Sequence, residues 1–249
     1  MNHETLIRRA RQALACLDLT RLDDADTEAD IERLCRRAQG RFGTTAAVCV
    51  WPRRAALARA RLPAAVKVAA VANFPDGGRD VEAALADTRA IVQAGAQEVD
   101  VVMPYRDPEA APALLAAVRR ACPGLTLKVI LETGALREEA ALRRAAAMAL
   151  DAGADFLKTS TGKVAVNATP QAARWVLEAI ARGGHSKVGF KAAGGIRTVA
   201  DAAVYLELAE EAMGSAGPER FRIGASSLLD DIEARLGAGV VPARADHGY

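Results

Sequence analysis

The feature that most constrains the fold is a regular alternation of short apolar runs with longer segments of helical period. Eight runs are predicted as strands, at residues 14–19, 45–50, 66–74, 97–103, 125–132, 156–160, 187–193 and 221–226. Helices are predicted after them, at residues 27–39, 53–61, 79–94, 109–121, 137–151, 170–182, 198–213 and about 226–236. Because parallel strands need a long crossover, this order predicts βα units around a parallel sheet.

Eight such units predict one (β/α)8 barrel, a TIM barrel, as a single catalytic domain over residues 1–249. An open doubly wound sheet is the alternative, but no GxGxxG motif follows the first strand, so the usual dinucleotide anchor is absent. The N-terminal segment predicts a short extra amphipathic helix rather than a signal peptide. Residues 237–249 contain Gly and Pro without periodicity and are expected to be a flexible tail.

Some helix boundaries have local signals. Thr169 is a predicted N-cap followed by Pro170 at the first helical position, and Thr198 is predicted to cap the next helix. Gly183 lies just past a helix end, where a left-handed residue is expected.

Composition and charge limit the kinds of binding partner that the sequence predicts. The net charge is +2 and the arginines are balanced by acids, so no nucleic-acid surface is predicted. No apolar run reaches the roughly 18 residues of a transmembrane helix, so no membrane partner is predicted. The four cysteines show neither CxxC nor zinc-ligand spacing, which favours reduced thiols and a cytoplasmic protein.

Metal catalysis of carbonyl chemistry usually draws on several His and carboxylate ligands. The histidines of the chain are His3, His185 and His247, and no two have ligand spacing. We therefore expect neither a metal nor another cofactor.

Polar residues interrupt the predicted strands near their carboxyl ends, where barrel enzymes place catalytic groups. These residues are Asp18, Asp100, Lys128, Glu132, Lys158 and Lys191. A buried charge persists only when it is paired or takes part in chemistry, and side chains on different strands can converge only inside the barrel mouth. Structural ion pairs in the barrel interior are the alternative explanation, strongest for Lys128 and Glu132 taken individually.

Lys158 and Lys191 fall on consecutive strands, so they should be neighbours roughly 5 Å apart. A second cation at that distance, together with desolvation, would favour a neutral amine, which is the form a Schiff-base lysine needs. Asp100 could then move protons as a general acid or base.

A phosphate site is predicted beside these lysines. Gly194-Gly195 follows the seventh strand, and Ser226-Ser227 begins the helix after the eighth. Loops after strands seven and eight are the usual phosphate site of this architecture, and backbone N–H groups at a helix N-terminus attract anions. Gly162-Lys163, after the sixth strand, could close the third side.

Several stretches resemble the deoxyribose-phosphate aldolases, class I (Schiff-base) aldolases on a (β/α)8 barrel. They are EVDVVMPYR (98–106), LKVILETGAL (127–136), AGADFLKTSTGKVAVNATP (152–170), VGFKAAGGIRT (188–198) and FRIGASSLL (221–229). The resemblance covers essentially the whole chain.

The resemblance implies reversible cleavage of 2-deoxy-D-ribose 5-phosphate to D-glyceraldehyde 3-phosphate and acetaldehyde, in deoxyribonucleotide catabolism. It implies that Lys158 forms the Schiff base, that Lys191 lowers its pKa, and that Asp100 takes part in proton transfer. The implied substrate- and phosphate-binding residues are Asp18, Thr161, Gly162, Lys163, Gly194, Gly195, Ser226 and Ser227, and Cys49 matches a cysteine that excess aldehyde can attack. A Schiff-base barrel aldolase for another sugar phosphate, or a non-catalytic sugar-phosphate binder, remains an alternative. A homodimer is one assembly that the outer helices of a barrel allow.

Overall fold

A computed structural model describes residues 2–238 of the chain. Over these residues the chain forms eight barrel strands and nine α-helices. The strands are β1 (Leu17–Thr20), β2 (Ala47–Val50), β3 (Lys67–Ala72), β4 (Glu98–Val102), β5 (Thr126–Ile130), β6 (Phe156–Lys158), β7 (Gly189–Ala193) and β8 (Phe221–Ala225). The helices are α1 (His3–Ala15), α2 (Glu28–Arg37), α3 (Pro52–Arg61), α4 (Val81–Gln93), α5 (Ala111–Ala121), α6 (Glu139–Asp151), α7 (Pro170–Arg182), α8 (Val199–Met213) and α9 (Leu228–Ala238).

The eight strands close into a parallel barrel, each pairing with the next and β8 pairing with β1. This confirms the predicted (β/α)8 barrel. The physical basis is the one the sequence indicated: every strand is followed by a helix whose apolar face covers the outside of the sheet. The extra amphipathic helix also forms, as α1, and packs against α8 and α9.

The barrel interior is divided into an apolar and a charged side. On β2 and β3, the inward residues Cys49, Ala69 and Val71 form a small apolar cluster with Leu22. Charged side chains are buried on the remaining strands, from β4 round to β1. The charged side therefore spans most of the barrel mouth, where the candidate site lies.

The predicted caps are largely confirmed. Thr169 accepts a hydrogen bond from the Ala172 amide at the start of α7, and Thr198 forms a capping box with Asp201 on α8. The prediction for Gly183 is wrong: it has φ −75°, and the left-handed residue is Gly184 with φ 67°. The helix needs one further residue before the chain reverses, so the conformation that favours glycine falls one position later.

Two further details differ from the sequence-based expectation. A short antiparallel hairpin, Gln39–Gly40 with Gly43–Thr44, lies between α2 and β2. The last helix extends to Ala238, so the first two residues of the predicted flexible tail are helical. The rest of that tail, residues 239–249, lies outside the described residues.

Candidate active site

The barrel register brings the predicted lysines together. Lys158 is the last residue of β6 and lies directly opposite Lys191 on β7. Asp100 in β4 lies opposite Lys128 in β5. All four side chains are buried inside the barrel, where the strand spacing brings them within reach of one another.

Asp100 is the centre of this group. Its Oδ2 atom accepts hydrogen bonds from the Nζ atoms of both Lys158 and Lys191, each at 2.8 Å. Its Oδ1 atom accepts one from Lys128 Nζ, also at 2.8 Å. One carboxylate thus bridges three ammonium groups, and a proton can pass between Lys158 and Asp100 without movement of the backbone.

A second set of charges lies beside Asp100 in the barrel interior. Asp18 accepts hydrogen bonds from Lys191 Nζ at 2.5 Å and from Arg222 Nη1 at 2.7 Å. Glu98 accepts from Lys128 Nζ at 2.5 Å and from Arg222 Nη2 at 3.0 Å. We call Asp18, Glu98, Asp100, Lys128, Lys158, Lys191 and Arg222 the buried charge cluster.

The cluster holds Asp100 and Lys191 in their charged forms. Burial by itself would raise the pKa of Asp100, but Lys128, Lys158 and Lys191 outweigh it and hold that pKa well below its usual range. Burial would likewise lower the pKa of Lys191, and the Asp100 and Asp18 carboxylates reverse this and raise it. To the predicted proximity of the two lysines the structure adds direct hydrogen bonds from both Lys158 and Lys191 to the Asp100 carboxylate.

A pocket of about 560 Å³ opens at the carboxyl ends of the strands, and Lys158 is on its wall. The predicted binding residues that line it are Thr161, Gly162, Lys163, Gly194, Gly195, Ser226 and Ser227. Residues from three separate loops therefore face one pocket that reaches the buried charge cluster at Lys158.

The loop glycines shape the side of this pocket where the sequence predicts a phosphate. Gly194 has φ 88°, and a Cβ atom there would approach the Asn167 side chain to 2.6 Å. Gly195 also has a positive φ, 83°, so both positions favour glycine. Ser226 and Ser227 immediately precede α9, whose N-terminal N–H groups add partial positive charge.

Lys163 lies on the same side of the pocket and is exposed. Its Nζ atom donates to the Leu22 carbonyl at 2.8 Å, and no carboxylate pairs with it among the described residues. Further cations on this wall were not predicted from the sequence: Arg21, Arg33, Arg37 and Arg197 also line the pocket. They follow strands or lie on helix faces, where local sequence cannot distinguish a pocket wall from a solvated surface.

The side chain and the backbone amide of Thr161 are both held by Glu132. Its Oγ1 atom donates to Glu132 at 2.5 Å, and its amide also points to that carboxylate. Glu132 is fully buried, with a left-handed φ of 56°, and burial raises its pKa. The structural ion pair offered as an alternative explanation for Glu132 does not form among the described residues. The Glu132 carboxylate instead orients the loop that carries Thr161.

Asp18 lies deeper than expected for a residue lining the hydroxyl side of a substrate. It is fully buried and does not line the pocket, and its carboxylate accepts hydrogen bonds from Lys191 and Arg222. Arg222 itself was missed. The available signal was a charged second residue in the otherwise apolar strand FRIGA, which alternation places inside the barrel.

Cys49 is also at the cluster, with its Sγ atom 3.9 Å from Asp100 Oδ2. It is fully buried, and burial together with the Asp100 charge raises the pKa of its thiol. The thiolate that would attack an aldehyde is therefore disfavoured in this state.

Three wider observations concern residues 2–238. The cysteines Cys16, Cys35, Cys49 and Cys122 are free thiols. No helix in this part of the chain is long and apolar enough to cross a bilayer. Groups of three or more His, Cys, Asp or Glu side chains arranged to hold a metal ion are absent from it.

Comparison with known proteins shows which proteins the chain is similar to. The family model described as DeoC/LacD family aldolase matches residues 12–234. A deoxyribose-phosphate aldolase of Agrobacterium fabrum (strain C58 / ATCC 33970) is 50% identical over 257 residues, covering 98% of each chain.

Solved structures show the same fold. The tetrameric deoxyribose phosphate aldolase of Aeropyrum pernix has a TM-score of 0.77 and 26% identity, covering 97% of this chain and 100% of its own. The apo form of a Toxoplasma gondii ME49 protein has a TM-score of 0.87 and 25% identity, covering 95% and 99%.

Proposed function

Because this chain belongs to the DeoC/LacD family of aldolases, we propose that it cleaves 2-deoxy-D-ribose 5-phosphate through a Schiff base on Lys158. The observation that carries the proposal is the position of Lys158. It is the one lysine of the buried charge cluster that also lines the described pocket. Its amine can therefore meet a substrate carbonyl while its proton is shared with Asp100.

Charge balance supports a reactive amine in this cluster. The cluster contains four cations and three carboxylates, so it carries a net charge of +1 when all seven groups are ionised. Loss of one proton makes it neutral. Lys158 pairs with a single carboxylate, whereas Lys191 and Lys128 each pair with at least two, so Lys158 is the lysine that the cluster holds least strongly.

The proposed reaction begins on the open-chain sugar. The neutral Lys158 amine attacks the C1 aldehyde, and loss of water gives an iminium ion. The iminium accepts the electron pair of the C2–C3 bond as that bond breaks and the C3 hydroxyl loses its proton, which releases D-glyceraldehyde 3-phosphate. The enamine that remains is protonated at C2 and hydrolysed to acetaldehyde, returning the free amine. The reverse sequence forms the carbon–carbon bond.

Asp100 and Lys191 take the proton-transfer roles in this scheme. Asp100 Oδ2 is within hydrogen-bond distance of Lys158, so it can exchange the proton that the amine must lose and regain. Lys191 bonds the same oxygen and, as a cation, opposes protonation of Lys158 before attack.

Phosphate recognition is assigned to the outer wall of the pocket. Lys163 supplies a full charge, and the backbone around Gly194, Gly195, Ser226 and Ser227 supplies N–H groups at the start of α9. We place the phosphate there because the reacting carbon then reaches Lys158 across one pocket.

The setting of this reaction follows from the substrate. Cleavage of a deoxypentose phosphate belongs to deoxyribonucleotide and deoxynucleoside catabolism, and we place it in the cytoplasm, where free thiols such as those observed persist. The partners are then the sugar phosphate and acetaldehyde, without nucleic acid or membrane. A homodimer is our working assembly. The scheme uses no metal and no other cofactor.

Borohydride trapping tests the proposal. Sodium borohydride added with acetaldehyde should leave a reduced ethyl group on Lys158, located by peptide mass spectrometry. Lys158→Met should give no adduct, whereas Lys191→Met should still be modified at Lys158 but more slowly. An adduct at another lysine, or none in the wild-type protein, would remove the Schiff-base assignment.

A substrate panel separates the two alternatives. Phosphorylated aldoses and ketoses compared with 2-deoxy-D-ribose 5-phosphate identify an aldolase for another sugar phosphate by a higher kcat/KM on that sugar. Phosphate-dependent sugar binding without turnover of any member would favour the non-catalytic binder.

A further inference from the structure

Arg222 is a buried charged residue that the proposed mechanism does not use. It lies in β8, and its side chain is 8% exposed. The guanidinium carbon lies 5.6 Å from the centroid of the Phe156 ring, so the ring covers one face of the guanidinium. A permanent charge so placed is costly unless its donors are all used.

The donors of Arg222 are divided between two carboxylates. Nη1 donates to Asp18 at 2.7 Å and to Glu98 at 3.3 Å, and Nη2 donates to Glu98 at 3.0 Å. Nε donates to the Pro218 carbonyl at 2.5 Å, which fixes the plane of the guanidinium. Arg222 therefore joins β1 and β4 through a rigid fork that lysine cannot reproduce.

The Asp18 and Glu98 carboxylates also accept hydrogen bonds from the lysines that surround Asp100. Asp18 uses its second oxygen for Lys191, and Glu98 Oε2 accepts from Lys128. Lys191 and Lys128 in turn hold the two oxygens of Asp100. Two chains of charged hydrogen bonds thus run from Arg222 to Asp100, and they meet at the carboxylate that bonds Lys158.

We propose that Arg222 is a positioning residue that fixes Asp18 and Glu98, and through them the place of Asp100 beside Lys158, while supplying the positive charge that favours loss of the Lys158 proton. This inference rests on the proposed role of Lys158 as the Schiff-base residue. It adds a geometric role and an electrostatic role for a residue that touches no substrate.

The electrostatic role depends on every charged group facing the cluster. These groups are Asp18 from β1, Glu98 and Asp100 from β4, Lys128 from β5, Lys158 from β6, Lys191 from β7 and Arg222 from β8, with Glu132 after β5 beyond Lys158. The thiols of Cys16 and Cys49 also face it but stay protonated, because burial raises the pKa of both. Glu132 bonds Thr161 and is not a member of the buried charge cluster, whose net charge of +1 falls to zero when the Arg222 charge is removed.

A series of charge variants tests the electrostatic role through the pH dependence of kcat/KM, which reports groups of the free enzyme. Arg222→Met leaves the ionised cluster neutral, so proton loss becomes harder and the ascending limb of the profile should move to higher pH. The shift should be about one pH unit, as for one charge roughly 10 Å away at an effective dielectric constant of about 20. Glu98→Gln raises the net charge and should move the limb to lower pH. The double variant Glu98→Gln/Arg222→Met restores +1 and should return the limb to its wild-type position.

Arg222→Lys tests the geometric role. It keeps the charge, so the limb should not move, but one ammonium cannot bridge Asp18 and Glu98 as the fork does. We expect kcat to fall by roughly ten-fold to a hundred-fold as Asp100 is displaced from Lys158, with little change in KM. Arg220→Met is the matched control, since within residues 2–238 the Arg220 side chain donates hydrogen bonds to the backbone carbonyls of Met213 and Val188 and to no carboxylate.

The outcomes separate this inference from the proposed function. Suppose that borohydride traps Lys158 in the wild-type protein. If the ascending limb of kcat/KM then lies at the same pH in all the charge variants, or if Arg222→Lys keeps the wild-type kcat, the role of Arg222 is refuted and the Schiff-base proposal stands. If trapping fails in the wild-type protein, the proposed function itself is refuted. Should Arg222→Met not fold, the opposite shift in Glu98→Gln and the lower kcat of Arg222→Lys decide the question, with the thermal midpoint of Arg220→Met as the folding reference.

Discussion

Replacement of Lys163 by Ala should separate phosphate binding from the reaction at Lys158. Lys163 is exposed on the pocket wall, and its Nζ atom bonds one backbone carbonyl, that of Leu22. With no carboxylate partner among the described residues, its charge is available to an incoming anion. Lys158 is hydrogen-bonded to Asp100 inside the barrel and makes no hydrogen bond to Lys163.

The size of the effect follows from the exposure of Lys163. A hydrogen bond to a charged group contributes about 1.5–3 kcal/mol, whereas an ion pair between exposed groups contributes about 1 kcal/mol or less. Lys163 should fall near the lower end of the first range, about 1.5 kcal/mol, because solvent screens it while the pocket orders the phosphate. That free energy corresponds to roughly a ten-fold rise in KM. Removing uniform binding leaves kcat nearly unchanged.

The assay compares two substrates in two variants. KM and kcat are measured for 2-deoxy-D-ribose 5-phosphate and for unphosphorylated 2-deoxy-D-ribose, at low and high salt. Lys163→Ala should weaken only the phosphorylated substrate, and less so at high salt. Lys67→Ala is the matched control, because Lys67 is exposed at the start of β3, at the opposite end of the barrel. An equal loss with both substrates, or a fall in kcat alone, would contradict the phosphate assignment.

Two further predictions concern the buried charges and thiols. The pKa values of Asp18 and Asp100 are lowered in the folded protein, so their stabilisation is complete above the unfolded value of about 3.9 and is lost as pH falls below it. Urea unfolding followed by circular dichroism should therefore show a midpoint that drops between about pH 4 and pH 2, and Asp100→Asn should flatten this drop; a wild-type midpoint constant to pH 2 would count against the cluster. Burial raises the thiol pKa of Cys16 to about 12 and of Cys35 to about 11, and it raises that of Cys49 as well. Iodoacetamide at pH 8 should then label these thiols slowly in the native protein and fully after denaturation, and rapid native labelling of Cys49 would show that its burial is not maintained in solution.

The strand and helix order was predictable because hydrophobic periodicity is a local property. All eight barrel strands formed within a few residues of their predicted limits, from Leu17–Thr20 to Phe221–Ala225. Errors fell at boundaries, as at Gly183, where the left-handed residue is Gly184, and at the hairpin of residues 39–44. Such details depend on one or two backbone angles that neighbouring residues do not fix.

The candidate site was partly predictable for the same reason. Lysines at the ends of apolar strands and glycines before a helix are unusual locally, so Lys158, Lys191 and Gly194 could be named in advance. Arg222 was missed although it interrupts an apolar strand, and Asp18 was expected on the pocket wall but lies beneath it. Depth inside a barrel is not a local property, because it depends on how far each strand is staggered against the next.

The sequence alone therefore determined that eight βα units close a barrel and that several charges must be buried at its mouth. It did so because strand and helix periods, and the high cost of an unpaired buried charge, act residue by residue. Only the tertiary structure decided which charges pair. The register sets Asp100 opposite Lys128 and Lys158 opposite Lys191, and it brings Asp18 and Glu98 to Arg222 from strands far apart in the chain. Those pairings arise from closure of the barrel, which no single segment encodes.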